Sequence, residues 1–220
     1  MDKAERIYVF KDAYGKVISD EIITWLDEHG YFDAPASSHY HGAYQGGLVD
    51  HCINVTDKLL EYTESLNLKW SRPESPYYIG LFHDLCKMDE YEQAELGYKR
   101  VKNDSLELLG HGDKSVMKIA EILTLTEEEI YCIRYHMGAY ETDKWKQYDL
   151  AIQKYPNVLY THTADMYASK LLDGNGLEIT YKQIIEEFYK TGKEPSEYES
   201  FRQSYLDQGF VIINEDSESK

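Results

Sequence analysis

At 220 residues, 42% of them hydrophobic, the chain is long enough for one moderately large domain with a substantial buried core. Forty acidic residues against 23 basic ones leave a net charge of −17, which argues against sequence-independent binding to duplex DNA or to an anionic membrane. A small anionic substrate stays open, because a bound metal ion can reverse the field inside a pocket.

The N-terminus lacks the apolar segment of a signal peptide, and no apolar run reaches ~18 residues, so no membrane span is expected. Cys52, Cys86 and Cys132 are odd in number and widely spaced, which implies no disulfide framework and fits a reducing cytosol.

Residues 5–32 read as a short lead-in and then a helix. Ser19-Asp20 caps it, Ile22, Ile23, Trp25 and Leu26 form its apolar face, and His29-Gly30 stops it. Residues 33–47, with Pro35 and several glycines, read as an ordered loop. Residues 48–66 form a helix with His51 near its start. After a connection over 67–76, Pro76 can open a helix that carries His83-Asp84 and ends near Met88. Segments 91–96 and 98–101 around Gly97 make a small hairpin. A helix follows over 111–122.

Thr126 and Glu129 make a capping box for a helix that delivers Arg134 and His136 near its end. Residues 139–146 read as a polar, aromatic, mobile rim, and a short helix over 147–154 stops at Tyr155-Pro156. The helix over 157–172 places Val158, Leu159, His162, Asp165, Met166 and Ser169 at helical spacing. Two amphipathic helices, 179–190 and 195–206, precede an extended segment at 210–213, and 214–220 reads as a disordered tail. The expected class is all-α, a helical bundle with a possible hairpin near 91–101.

The chemistry gathers around Gly80-Leu81-Phe82-His83-Asp84-Leu85-Cys86-Lys87, where Ile79, Leu81 and Phe82 anchor a helix that ends in a His-Asp pair. Taken alone, one such dipeptide in a chain with eight histidines reads equally as a buried histidine beside a solvated aspartate. His51, His83, His111, His136 and Asp165, however, recur at intervals of 25 to 32 residues, each the length of a helix plus a connection. Helical bundles build metal sites from inward side chains on several helices. Imidazoles with carboxylates suit Mn, Fe, Mg, Ni or Zn, and no paired-cysteine spacing competes for a structural zinc. Asp165 on an inward helical face is costly unless paired or bound to metal.

His51, His83-Asp84 and Asp165 match the H…HD…D pattern, and the chain resembles the HD-domain metal-dependent phosphohydrolases. Pro35 to Tyr44 followed by Gly46-Gly47-Leu48, His111-Gly112-Asp113-Lys114-Ser115 and Ile133-Arg134-Tyr135-His136-Met137-Gly138 are similar to segments of HD exoribonucleases and related phage or bacterial hydrolases. The resemblance implies one HD domain over 1–220, with a core at 35–172 and a C-terminal helical extension at 177–213.

By the same resemblance, His51, His83, Asp84 and Asp165 hold one divalent metal. His111 and His136 hold a second, bridged by Asp84, or else contact substrate phosphate or cap helices. A metal-activated hydroxide would attack phosphorus. Lys87, one turn beyond His83, meets the phosphate or sits in a salt bridge, and Arg134 and Lys114 are further phosphate candidates. His39 and His41 are loop residues or line the entrance, and His162 stands behind Asp165. Tyr40, Tyr44, Tyr135 and Tyr140 fall close enough to stack on a base.

The function expected is therefore a metal-dependent phosphohydrolase, with one or two divalent ions, acting on a nucleotide-like phosphoester or phosphoanhydride in a bacterial or phage-infected cytoplasm. One alternative is a 3'-5' exonuclease on single-stranded RNA or DNA, which the negative charge and the absence of a second nucleic-acid-binding domain disfavour. Another is a catalytically silent HD module that binds a nucleotide. The partner expected is a small phosphorylated molecule rather than long nucleic acid or membrane, and the oligomeric state is not predicted.

Overall fold

The computed structural model describes residues 1–94, 98–101, 109–173, 178–207 and 210–213. These form an all-α protein with a small antiparallel hairpin, as expected, together with a short parallel strand pair near the C-terminus.

The expected lead-in is itself a helix, α1 (Lys3–Tyr14), whose first turn is closed by Glu5 N–H donating to the Asp2 carboxylate at 2.9 Å. Its apolar pattern shows no clean face, because Tyr8 and Val9 are exposed while Phe10 and Tyr14 are buried. A tertiary contact fixes it instead: the buried Arg6 guanidinium donates to the carbonyls of Phe32 at 2.9 Å and Gln45 at 3.1 Å. Helix α2 (Asp20–Glu28) carries the predicted Ser19 cap and ends at His29.

Helices α3 (Gly47–Ser65) and α4 (Ser75–Phe82) pack closely. At their crossing a Cβ on Gly80 would lie 2.4 Å from Thr56 Oγ1, so only glycine lets the backbones approach this far. Next come α5 (His111–Ile119), α6 (Glu127–Arg134), α7 (Trp145–Lys154) and α8 (Asn157–Tyr167). Helix α3 lies on α8, α4 on α6, and α6 on both α5 and α8. Leu48, Leu59, Ile79, Leu81, Phe82, Ile133 and Val158 fill the core between them. The Thr126–Glu129 capping box is present, and Glu129 also binds Arg72 and Ser75 in the connection before α4. That contact locks the start of α6 to the start of α4.

Three departures bear on the site. Helix α4 stops at Phe82 rather than near Met88, and a 3-10 turn over Leu85–Asp89 follows it, so His83 and Lys87 are not stacked on one α-helical face. Helix α8 widens into a π-turn over Ala168–Leu172, where Asp173 N–H donates to the Ala168 carbonyl at 2.9 Å. The segment expected as a mobile rim holds two 3-10 turns, Gly138–Tyr140 and Thr142–Lys144.

The hairpin pairs β1 (Tyr91–Gln93) with β2 (Tyr98–Arg100), Tyr91 opposite Arg100; its connection, around Gly97, lies outside the described residues. The C-terminal helices are α9 (Tyr181–Lys190) and α10 (Tyr198–Asp207), and strand β3 (Glu178–Thr180) pairs in parallel with β4 (Val211–Ile213). Ile179, Ile184 and Tyr205 pack there with Phe201, Phe210 and Ile212 in a small apolar cluster of their own. The tail expected at 214–220 also lies outside the described residues. No described helix is long and apolar enough to cross a membrane.

Candidate metal centre

His51 comes from the first turns of α3, His83 from the residue that ends α4, and Asp84 from the tightening just after it. His136 follows α6, and Asp165 lies near the end of α8. The packing of these four helices brings all five side chains together. His51 Nε2 lies 3.2 Å from His83 Nε2, 3.4 Å from Asp84 Oδ2 and 3.2 Å from Asp165 Oδ1. His83 Nε2 is 3.5 Å from Asp84 Oδ2, and His136 Nε2 is 3.4 Å from Asp84 Oδ1. His83 and His136 are wholly buried, and His51 and Asp84 nearly so.

Each imidazole has its other nitrogen already engaged. His83 Nδ1 donates to the Gly80 carbonyl at 2.9 Å and His136 Nδ1 to the Ile133 carbonyl at 2.7 Å. A carbonyl only accepts, so the proton sits on Nδ1 and a neutral ring turns an Nε2 lone pair inward. His51 Nδ1 meets Asp173 Oδ2 at 2.7 Å, and Asp173 Oδ1 accepts from Asn54 at 2.7 Å. Histidines that bind metal are held by this kind of contact on the opposite nitrogen.

Lone pairs and carboxylate oxygens crowded into a dry space repel one another unless positive charge stands between them. Two atoms record the deficit directly: Asp84 Oδ1 and His136 Nε2 are buried and face each other at 3.4 Å, with no hydrogen bond between them or to another described residue. The acid–base balance tells the same story. Burial disfavours the His51 imidazolium, but the Asp165, Asp173 and Asp84 carboxylates outweigh it and hold the pKa well above the usual value. Burial likewise opposes ionisation of Asp84 and Asp165, and the surrounding cations and imidazoles override it, lowering both. His83, for which burial prevails, is shifted down. The residues present thus fit a divalent cation with nitrogen and oxygen ligands.

Asp84, Asp165, His41, Lys87, Tyr91 and His111 border a cavity of about 420 Å³ with Tyr40, Tyr140, Met137 and Met166. Lys87 Nζ sits 2.7 Å from Asp84 Oδ2. The salt bridge considered beside the phosphate role is therefore present, and the lysine still reaches the cavity wall. His41 and His111 are both held neutral by burial, with pKa lowered to about 4. His162 Nδ1 donates to the His136 carbonyl at 2.7 Å, supporting the backbone at His136 rather than Asp165.

Other candidates are engaged elsewhere. Arg134 pairs with Asp113 at 2.8 Å and borders a different pocket with Tyr131 and Lys154, while Lys114 pairs with Asp89. His39 is not among the residues lining the 420 Å³ cavity. Tyr44 donates to Asp50 at 2.8 Å, and Tyr135 lies against the Arg134 guanidinium. His111 Nδ1 lies 3.4 Å from Cys86 Sγ and 3.8 Å from Glu90 Oε2, and the residue borders the same cavity as Asp84.

Two site residues escaped the sequence reading, Asp173 and Tyr91. Asp173 lies in a Gly-Asn-Gly context that resembles an ordinary turn, and only the π-turn before it aims the carboxylate back at His51.

No family profile and no solved structure matches the chain. Over 68 residues, 30% of its length, it is 35% identical to the dihydroneopterin 2',3'-cyclic phosphate phosphodiesterase of Methanocaldococcus jannaschii. The match spans 27% of that enzyme's own length. The chain, which carries a buried His/Asp cluster able to hold a metal ion, is thus a partial, distant homologue of a phosphodiesterase.

Proposed function

We propose that the protein is an HD-type, divalent-cation-dependent phosphohydrolase acting on a small, nucleotide-like phosphoester, cyclic phosphodiesters included. The observation that carries this reading is the convergence of three imidazole Nε2 atoms on the buried Asp84 carboxylate and the partly exposed Asp165 carboxylate, with Asp84 Oδ1 and His136 Nε2 facing each other at 3.4 Å without a hydrogen bond. The likeness to a cyclic phosphate phosphodiesterase supports the same reaction class.

His51, His83, Asp84, His136 and Asp165 would hold the cation. When bound, such an ion supplies Lewis-acid charge for phosphoryl oxygens and acidifies water. The chain's own groups do the rest. Lys87 keeps Asp84 ionised across their 2.7 Å contact and directs its remaining N–H bonds at a phosphoryl oxygen in the cavity. Neutral His41 and His111 offer hydrogen bonds there without adding charge. Tyr40, Tyr91 and Tyr140, with Met137 and Met166, give the cavity an apolar side for a heterocycle. A volume of about 420 Å³ lies at the small end of ligand pockets and suits one small phosphorylated molecule.

The test is a panel of nucleoside mono- and triphosphates and cyclic phosphodiesters, offered to protein loaded with Mn, Mg, Fe, Ni or Zn. Release of phosphate or opening of a cyclic ester is expected, and His83→Ala and Asp84→Ala should abolish bound metal and turnover together. Stepwise shortening of a labelled oligonucleotide would replace this reading with an exonuclease. A ligand-induced rise in melting temperature without turnover of any substrate would replace it with a silent binding module.

A further inference from the structure

A second group of metal-ligating side chains lies beside the first and is chemically different from it. Cys86 is on the 3-10 turn after His83-Asp84, Glu90 on the residue that closes that turn, and His111 at the first position of α5. Cys86 Sγ is 3.4 Å from His111 Nδ1, His111 Nδ1 is 3.8 Å from Glu90 Oε2, and each of the three offers an atom within 4.8 Å of the others. Around a tetrahedral zinc ion, sulfur and nitrogen ligands stand about 3.5 Å apart, so the arrangement needs little adjustment.

The fold holds these residues in place from behind. Ser115, one turn along α5 from His111, accepts from the Cys86 N–H at 3.1 Å. The β1–β2 register puts Arg100 opposite Tyr91, and Arg100 Nε binds Glu90 Oε1 at 2.7 Å. This leaves Glu90 Oε2, on a residue only 1% exposed, buried and without a hydrogen-bond partner among the described residues. A hydrogen bond between the thiol and His111 would satisfy those two groups and still leave Oε2 alone, because the thiol has a single proton to give. A cation satisfies all three.

We propose that Cys86, Glu90 and His111 form a second metal site, selective for zinc through its thiolate, which clamps the root of the hairpin to the start of α5. This proposal stands on its own atoms and does not depend on the reaction assigned to the neighbouring centre. Binding releases the thiol proton to solvent and leaves a zinc–sulfur bond. A thiolate with an imidazole and a carboxylate favours zinc over magnesium or manganese, which prefer oxygen-rich sites.

The full chain, stripped with chelator under reducing conditions, is titrated with Co(II) and then with Zn(II). A near-ultraviolet thiolate-to-cobalt absorption should appear, saturate within two equivalents, the other ion filling the neighbouring centre, and vanish as zinc displaces cobalt. Cys86→Ser should abolish that absorption and weaken zinc binding by roughly 100-fold or more. Glu90→Gln, which keeps the thiol, should weaken it by about tenfold or more. Asp165→Ala, in the neighbouring centre, should leave the absorption in place. If Cys86→Ser fails to fold, Glu90→Gln decides the matter. No thiolate absorption in the wild type, an absorption that survives Cys86→Ser, or wild-type zinc affinity in Glu90→Gln would overturn the proposal.

Discussion

At the scale of single residues, the site is set as much by what stands behind each ligand as by the ligands themselves. Asp173 accepts from His51 Nδ1 at 2.7 Å, fixing which nitrogen faces the cluster and making the ring a stronger donor. Asp173→Asn can preserve the shape of that contact but removes its charge. Metal affinity, read by isothermal titration with Mn(II), should fall about 10- to 100-fold, while the circular dichroism spectrum stays unchanged. An unaltered affinity would mean that Asn54 and the π-turn, rather than the carboxylate, orient the histidine. Lys87 gives a second test at this scale. Lys87→Met removes the ammonium next to Asp84 but keeps the stem, so turnover should drop by about tenfold or more while a metal ion still binds, as expected when a charge contact to the reacting group is lost.

At the scale of elements, the clearest linkage joins α6 to the connection before α4. The Glu129 carboxylate is fully buried, accepts from Arg72 and Ser75, and belongs to the Thr126 capping box. Burial opposes its ionisation, but Arg72, the Thr126 backbone and Ser75 outweigh that penalty and depress its pKa below the ordinary 4.5. A depressed carboxylate stabilises the fold above its unfolded pKa, and that contribution is lost as pH falls through the folded value. Urea denaturation should therefore show wild-type stability declining below about pH 4.5. Glu129→Gln should be less stable by about 3 kcal/mol at pH 7, and its curve should converge on the wild type in acid. Parallel curves would show that the pair contributes nothing specific to the charged state.

For the molecule as a whole, the cluster of unpaired ligands predicts that folding and metal binding are coupled. A cation that binds only the folded chain adds about 2.7 kcal/mol at a hundredfold excess over its Kd, or about 5–10 °C in melting temperature for a chain of this size. Removing metal with chelator should lower the melting temperature, and Mn(II) should restore it in the wild type but not in Asp84→Ala. Every proposed ligand lies at or before Asp173, so deleting residues 214–220 should leave both the metal-induced rise and turnover intact; losing either would place part of the site in that segment.

Much of the fold was legible in local chemistry. Ser19, Pro76, Thr126 with Glu129, and the stop at Tyr155-Pro156 act within one turn of the chain, so the helix limits they mark agree with the structure to within a few residues. Helix α1 was not legible, because its determinant is Arg6 reaching carbonyls of Phe32 and Gln45 rather than an apolar stripe. The spacing of His51, His83, Asp84, His136 and Asp165 along the sequence was enough to nominate them, since a helix plus a connection returns the chain to the same end of a bundle.

Spacing could not assign the partners. That His111 Nδ1 meets Cys86 and Glu90 depends on how α5 lies across the 3-10 turn, and whether Arg134 reaches the cavity depends on where Asp113 falls. Those outcomes are settled by packing between elements far apart in sequence, where a rotation of one helix exchanges one set of neighbours for another. The sequence by itself determined the helices and the supply of imidazoles and carboxylates, because caps and hydrophobic periods are local. Only the tertiary structure decided which nitrogen meets which oxygen, because that choice is made by contacts between helices.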